Sequence, residues 1–213
     1  MNSCTTCKEA IEHCMSTHTF AFAHLYGDEK IMDMHIHNCC EVYYSISGGK
    51  QFLIDHCLYD IRPGDLFLIN QFESHHLTQI DQQTHERIIL SIDPEYLSKL
   101  STGATDLGHC FSFRDTRMPH QIHLSPKEQN RFMYFIHELH DDGGMGEDLL
   151  DQAIFLELMV FLNRAFAARC TDAAAPAPAP SSNYHAQVDA ILSYINSHIG
   201  EPLTLAGLSA PFF

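Results

Sequence analysis

Three histidines and one glutamate in the first part of the chain are of the residue types that bind metals. His35, His37 and Glu41 lie in one short stretch, and His75 follows a later apolar run. An extended strand points alternate side chains to one face, so His35, His37, Cys39 and Glu41 are expected to share a side. Three imidazoles and a carboxylate suit zinc, nickel, iron, copper or manganese. The sequence therefore predicts one divalent transition metal bound by His35, His37, Glu41 and His75.

The same polar set is also compatible with a pocket that holds no metal. Histidine, glutamate and tyrosine side chains can bind a sugar, an acid or an aromatic compound through hydrogen bonds alone. Alternation along the neighbouring strands indicates which other side chains line such a pocket. The predicted effector-binding residues are Phe20, Phe22, Cys39, Tyr43 and Glu73.

Short strand-like runs surround these residues and must position them. The run over 17–26 alternates in hydrophobicity. The runs are separated by turn signals such as Gly48-Gly49 and Arg62-Pro63-Gly64, and they end near residue 92. Several short strands separated by turns favour an all-β sandwich or barrel. The predicted strands cover residues 17–26, 41–46, 51–54, 58–61, 65–69 and 87–92.

Helices are predicted after the strands. Ser125 has the properties of a helix N-cap and is followed by Pro126 at the first helical position. The next helix, over about 147–168, is apolar around so wide an arc that it must bury two faces. One face can cover the barrel, which leaves the other for a partner chain. The two apolar stripes are Leu150, Ile154, Leu158, Phe161 and Ala165, and Leu149, Ala153, Leu156 and Val160.

The last part of the chain changes in character at an Ala-Pro repeat. Residues 171–184 contain this repeat, which is typical of an extended, semi-rigid linker. A helical apolar pattern then runs from Val188 and ends at Gly200. With 12 Lys and Arg against 27 Asp and Glu, the net charge is −15, too acidic to neutralise DNA phosphates. Either the protein does not contact DNA, or its DNA-contacting part lies beyond these residues.

Two sets of motifs together resemble a known family. The pattern H-x-H-x3-E-x6-G, followed by a Pro-Gly turn and a later histidine, resembles the two motifs of a cupin barrel. The C-terminal residues resemble the opening of an AraC-type DNA-binding domain. This order, cupin first and helix-turn-helix last, is that of AraC-type transcription regulators. The motif residues are His35, His37, Glu41, Gly48, Pro63, Gly64 and His75, and then Tyr194, His198, Pro202, Leu205, Leu208 and Phe212.

The resemblance implies a mainly β fold with α-helices toward the C-terminus. It comprises a cupin (double-stranded β-helix) barrel, dimerisation helices and the start of a helix-turn-helix domain. The implied divisions are an N-terminal lead-in (1–16), an effector-binding and dimerisation domain (17–170), a linker (171–184) and a truncated helix-turn-helix domain (185–213). The implied partners are a small-molecule effector, a second copy of the chain, and DNA only through a complete C-terminal domain.

Two other functions are compatible with parts of the sequence. A metal-dependent cupin enzyme, such as a dioxygenase or a sugar isomerase, would use the same four ligands. The linker and the half helix-turn-helix favour the regulator, so we expect no enzymatic activity. A metal or redox sensor would instead work through cysteines, namely Cys4, Cys7, Cys14, Cys39 and Cys40.

The expected location is the cytoplasm. The sequence contains neither a run of apolar residues long enough to span a membrane nor a secretory signal. Cysteines of a cytoplasmic protein are mostly reduced, so the three thiols of the lead-in are expected to be unpaired.

Overall fold

In a computed structural model of the chain, residues 4–27, 34–49, 51–79, 85–112, 120–139, 144–171 and 204 are described. Strands dominate the first half of these residues and helices the second. Their order is α1 (Cys7–Thr17), β1 (Phe20–Leu25), β2 (Cys40–Ser45), β3 (Gln51–Ile54), β4 (Cys57–Asp60), β5 (Asp65–Ile69), β6 (His75–Gln79), β7 (Arg87–Ile92), α2 (Pro94–Leu100), α3 (His109–Ser112), β8 (Gln121–His123), α4 (Pro126–Glu138) and α5 (Glu147–Thr171).

The strands form two antiparallel sheets. The larger sheet has the order β1-β7-β2-β5-β8, and the smaller has the order β4-β3-β6. In the larger sheet, β2 lies between β5 and β7, so that Glu41 is opposite both Ile69 and Ser91. Two mainly antiparallel sheets followed by helices confirm the predicted cupin-type fold class.

Alternation along β2 separates two apolar layers. Val42 and Tyr44 belong to a layer that packs against the later helices, whereas Tyr43 belongs to the layer on the opposite face of the strand. The helix-covered layer includes a stacked aromatic pair, Phe20 of β1 and Phe155 of α5, with ring centroids 4.3 Å apart. Burying a side chain of this size contributes about 1.5–3 kcal/mol, so this layer fixes α5 to the sheet.

A helix, α1, occupies much of the predicted lead-in over residues 1–16 and extends to Thr17. Thr6 caps α1 by accepting a hydrogen bond from the backbone N–H of Glu9, and the helix ends at His18, which has a left-handed φ of 53°. Ala10 and Cys14 of α1 are fully buried in the inner apolar layer. The first strand consequently begins at Phe20, three residues after the predicted start.

The two long helices begin where their sequences indicate, but the buried face of α5 shares only Leu158 and Ala165 with the predicted stripes. Ser125 and Glu128 form a complete capping box at the start of α4, with Pro126 at the first helical position. In α5 the residues of the buried face are Phe155, Leu158, Met159, Leu162, Ala165 and Phe166. Both predicted stripes are exposed at their N-terminal ends, where Leu149 and Leu150 are each 66% exposed. Farther along the second stripe, Leu156 and Val160 are partly buried against the core.

The predicted linker and helix-turn-helix region lie outside the described residues, apart from Thr171 and Thr204. Within the described part of the chain, no helix combines the length and apolar character that crossing a membrane requires.

Candidate metal centre

The backbone brings the three predicted histidines to one end of the barrel interior. His35 and His75 exchange two backbone hydrogen bonds: the His35 N–H donates to the His75 carbonyl at 3.2 Å, and the reverse bond measures 3.1 Å. The carbonyl of His37 accepts from the N–H of Phe72 at 2.9 Å. These bonds connect the segment before β2 to the start of β6, so residues about forty positions apart share one site.

The side chains of this centre converge closely. One ligand nitrogen from each of His35, His37 and His75 lies within 4.8 Å of the others. Glu41 joins them from β2, where its Oε2 lies 3.2 Å from Nε2 of His37 and 3.9 Å from Nε2 of His75. Glu41 and His75 are buried, whereas the backbone and side chain of His35 are only partly covered. The centre therefore opens to solvent on the His35 side.

Hydrogen bonds determine which ring nitrogens can act as ligands. Nδ1 of His37 lies 3.0 Å from the Cys39 carbonyl, and Nδ1 of His75 lies 2.9 Å from the Glu73 carbonyl. A carbonyl oxygen only accepts, so each Nδ1 must donate its hydrogen. In the neutral imidazole, Nε2 then carries the lone pair, which is the arrangement found in metal-binding histidines.

The electrostatics of the centre follow from burial and from these contacts. Burial disfavours a charged His37, but hydrogen bonds with Cys39 and Glu41 outweigh it and raise its pKa to about 10. Burial lowers the pKa of His75 despite the nearby Glu41. For Glu41, burial favours the neutral acid, yet the His37 hydrogen bond and the attraction of His75 hold its pKa below the usual value.

A divalent cation fits this donor set. Nε2 of His75 is inaccessible to solvent and has no hydrogen-bond partner among the described residues. Burying a polar nitrogen without a partner is costly, and a lone pair directed at a carboxylate oxygen is repelled by it. A cation coordinated by His35, His37, Glu41 and His75 would give the His75 nitrogen a partner and would separate it from the Glu41 carboxylate. The carbonyls of Cys39 and Glu73 already supply the supporting hydrogen bonds that orient two of these rings.

Two of the predicted effector-binding residues lie in the interior, at different distances from the centre. Sγ of Cys39 is 3.2 Å from Nδ1 of His37, so this thiol borders the centre. Tyr43 points inward, but its hydroxyl bonds to Nε2 of His85 at 2.8 Å, and its ring packs on Phe52. Tyr43 thus forms part of the aromatic filling of the barrel.

Glu73 does not face the histidine centre through its side chain, contrary to the prediction. Its Oε2 accepts a hydrogen bond from the N–H of Asn70 at 2.6 Å and lies 3.3 Å from Nε2 of His120. Only its carbonyl supports the centre, through His75. A turn before β6 breaks the strand alternation on which the prediction depended.

Phe20 and Phe22 lie away from the centre, which corrects their predicted placement in the pocket. Both belong to the helix-covered layer, and Phe20 stacks on Phe155. In β1 the inward positions are taken by Ala21 and Ala23. Alternation shows which residues share a face, but it does not show which of the two faces is internal.

Two neighbours of the centre were not predicted. Sγ of Cys7, in α1, lies 3.9 Å from Oε2 of Glu41. The ring of Phe52 lies 6.0 Å from that of His75 and forms the floor of the centre together with Tyr43 and Phe67. Nothing in the spacing of the N-terminal cysteines indicates that α1 lies at this end of the barrel.

The fold and its histidine–carboxylate centre define a cupin-type domain. The chain matches the AraC-like ligand binding domain family over residues 19–159, which is more than half of its length, and it belongs to that family. No curated protein matches the sequence.

Several solved structures are similar in fold. Apo ToxT from Vibrio cholerae is 12% identical with a TM-score of 0.46, covering 89% of this chain and 69% of that one. Oxalate decarboxylase from Bacillus subtilis, described with Mn(II) centres, is 22% identical with a TM-score of 0.32, covering 35% of this chain and 21% of its own. The DMSP lyase DddQ from Ruegeria pomeroyi is 21% identical with a TM-score of 0.32, over 35% and 38% of the two chains. The matches thus span well under two thirds of the two enzymes, and similarities this distant concern the fold alone.

Proposed function

We propose that this chain is the ligand-sensing part of an AraC-type transcription regulator and not an enzyme. In this proposal a divalent transition metal held by His35, His37, Glu41 and His75 forms part of the effector site. The observation that supports it is the convergence of three histidines on the buried Glu41 within a domain of the AraC-like ligand binding family.

A bound metal would supply positive charge and an open coordination position for an oxygen atom of the effector. The protein supplies the orientation. The Glu73 carbonyl holds the ring of His75, and Glu41 balances charge from within the barrel. Because Tyr43, Phe52 and Phe67 fill the space below, the effector approaches from the His35 side. We therefore infer a small effector that carries a carboxylate or hydroxyl group.

An effector can change transcription only if it binds two states of the regulator with different affinities. Strand β2 connects the histidine centre to the layer that packs against the helices. Glu41 faces the centre, while its neighbour Val42 lies in the layer covered by the helices. A shift of β2 on binding would therefore reach α5 through one packed layer.

Metal analysis tests the centre directly. The purified protein, Glu41→Gln and His75→Gln would be loaded with Mn²⁺ or Zn²⁺, desalted and analysed for metal per chain. His137→Gln is the matched control, because that ring is 85% exposed on α4. Each centre variant should lose one equivalent, while the control retains the wild-type content. Unchanged metal content in both centre variants would refute the metal site.

The competing function has its own test. Metal-loaded protein would be assayed for oxygen consumption with candidate acids and for isomerisation of sugars. No turnover above the level of Glu41→Gln is expected. Turnover that disappears in Glu41→Gln would instead establish a metal-dependent cupin enzyme.

We also propose that the chain forms a homodimer through the uncovered face of α5. Leu149 is 66% exposed, and Leu156, Val160 and Phe161 line a groove between α4 and α5. The groove carries charges of both signs, including Arg131 and Glu157 at 3.9 Å, which suits a second copy of the same surface.

Sedimentation equilibrium tests the dimer. Leu149→Glu combined with Ala153→Glu places charges at two exposed helical positions, so the monomer fold is retained. The expected result is a dimer for the wild type and for Tyr26→Ser, an equally exposed control position, and a monomer for the double variant. A wild-type monomer, or a double variant that remains dimeric, would refute this interface.

A further inference from the structure

A second group of ligand-type side chains lies outside the histidine centre. Asp55 is in the turn between β3 and β4, Glu73 is in the loop before β6, and His120 directly precedes β8. One ligand atom from each residue lies within 4.8 Å of the others. Three segments that are distant in sequence thus present an oxygen, an oxygen and a nitrogen to one point.

The histidine of this group is buried, and its outer nitrogen is not hydrogen-bonded. The His120 side chain is 10% exposed, and its Nδ1 lies 2.9 Å from the hydroxyl of Tyr59. Nε2 is inaccessible to solvent and has no hydrogen-bond partner among the described residues. The Glu73 oxygen lies 3.3 Å from this nitrogen, close enough for an ion pair but without a hydrogen bond to it.

The two carboxylates are fixed by their own hydrogen bonds. Oε2 of Glu73 accepts from the N–H of Asn70 at 2.6 Å. Oδ1 of Asp55 accepts from the N–H and the hydroxyl of Ser74 at 2.9 and 3.1 Å. A carboxylate offers about four lone-pair positions, so these bonds orient the groups and leave capacity for a cation.

We propose that Asp55, Glu73 and His120 form a second divalent-cation site. None of these side chains is a ligand of the histidine centre. Two carboxylate oxygens and one imidazole suit Mn²⁺ or Zn²⁺. Ligand bonds of about 2.0–2.1 Å at a tetrahedral angle place neighbouring ligand atoms roughly 3.3–3.4 Å apart. The observed separation of 3.3 Å between His120 and Glu73 agrees with that value.

A cation at this site would connect three segments of the barrel. It would join the β3–β4 turn to the loop before β6 and to the start of β8. The loop is the one whose carbonyl at Glu73 orients His75. The site would thus stabilise the support of the histidine centre without contributing a ligand to it.

Mn²⁺ titration followed by electron paramagnetic resonance can distinguish the two sites, because Mn²⁺ free in solution gives a strong signal. The background variant is Glu41→Gln, in which the histidine centre has lost its carboxylate. Into it are introduced Glu73→Gln or, separately, Asp55→Asn. Asn tolerates the left-handed φ of 49° at position 55, so the turn is retained. Glu86→Gln is the matched control, since Glu86 forms an ordinary hydrogen-bonded pair with His24 at 2.9 Å.

The expected result is that Glu41→Gln binds one Mn²⁺ per chain and that adding Glu73→Gln abolishes this binding. Asp55→Asn should weaken it at least tenfold, and Glu86→Gln should leave it unchanged. The proposal is overturned if Glu41→Gln binds no Mn²⁺, or if Glu73→Gln and Glu86→Gln have equal effects. Neither result bears on the histidine centre, because that centre is tested separately by the difference in metal content between the wild type and Glu41→Gln. Circular dichroism and melting temperatures establish that each variant is folded.

Discussion

The ion pair between Glu128 and Arg169 should make stability depend on pH in a defined way. Glu128 lies in the first turn of α4, and Arg169 lies near the end of α5, with Nη2 of the guanidinium 2.7 Å from Oε2 of Glu128. The same guanidinium donates to the carbonyls of Ala165 and His123. The pair therefore fastens α5 to α4 and to β8. Glu128→Gln removes the charge while preserving the size of the side chain.

The magnitude follows from the pKa of Glu128. The Arg169 hydrogen bond, acting against burial and together with Ser125, lowers this pKa from 4.5 to about 2. Each pKa unit corresponds to about 1.4 kcal/mol, so the full difference would be about 3 kcal/mol. Because the two side chains remain 27% and 29% exposed, solvent screening reduces the expected loss to about 1–2 kcal/mol.

The sign of the pH dependence is fixed by the direction of the pKa change. The folded state holds the carboxyl pKa below its unfolded value, so the stabilisation is fully present above about pH 5. It is lost as the pH falls from 4.5 toward 2. The free-energy difference between wild type and Glu128→Gln should therefore be largest at pH 7 and should shrink steadily below pH 4.

Urea unfolding of wild type, Glu128→Gln, Arg169→Gln and the double variant measures these quantities. At pH 7 the double-mutant cycle should give a coupling free energy of about 1–2 kcal/mol. Unfolding at several pH values down to 3.5 then follows the loss of the wild-type advantage. A coupling near zero at pH 7, or an advantage that grows on acidification, would show that the ion pair does not hold the helices.

Three further substitutions test other parts of the fold and the centre. Gly64→Ala should destabilise the protein by about 1–3 kcal/mol in urea, because φ is +86° and the added Cβ would overlap the Gln129 side chain; equal stability would contradict this. Phe155→Ala should lower the free energy of unfolding by about 3–5 kcal/mol, because it removes the stacking partner of Phe20. The metal content per folded chain should be unchanged, and a loss of metal would indicate that Phe20 contributes to the pocket after all. Saturating metal at about 100 times its dissociation constant should stabilise the wild type by about 2.7 kcal/mol, and a chelator should reverse the gain in melting temperature; Glu41→Gln should show a smaller response to both.

The sequence predicted the strands best where a short, mainly apolar run was bounded by clear turn signals. The runs at 51–54, 65–69 and 87–92 coincide with β3, β5 and β7. Capping chemistry likewise located the start of α4 at Pro126. These features depend on nearest neighbours in the chain, which a single sequence displays directly.

The remaining elements depend on contacts that a single sequence does not display. The helix α1 has a modest apolar pattern, and it is held by packing of Ala10 and Cys14 against β1 and β7. Phe20 and Phe22 alternate correctly, but the internal face of β1 is the one with two alanines, because α1 needs the space there. The position of α1 and the choice of the internal face of β1 are thus both determined by tertiary packing, which outweighs the local preference of the sequence.

The convergence of His35, His37 and Glu41 has a similar explanation. Strand β2 begins only at Cys40, so the alternation argument applies to Glu41 but not to His35. His35 is positioned instead by its backbone bonds to His75. The spacing of the histidines therefore predicts the metal centre correctly only because the segment around His35 pairs with the segment around His75. The sequence alone does not show this pairing.

Glu73 shows how one local feature of the backbone divides what was predicted as a single pocket. In a continuous strand Glu73 and His75 would point to the same side. Phe72, however, adopts a left-handed φ of 63°, and the N–H of Glu73 bonds back to the Asn70 carbonyl at 3.3 Å. This turn directs the carboxylate toward His120 while keeping the Glu73 carbonyl on the His75 side. One residue thereby contributes its backbone to the histidine centre and its side chain to the second group of ligands, so a change in the turn at Phe72 must alter both.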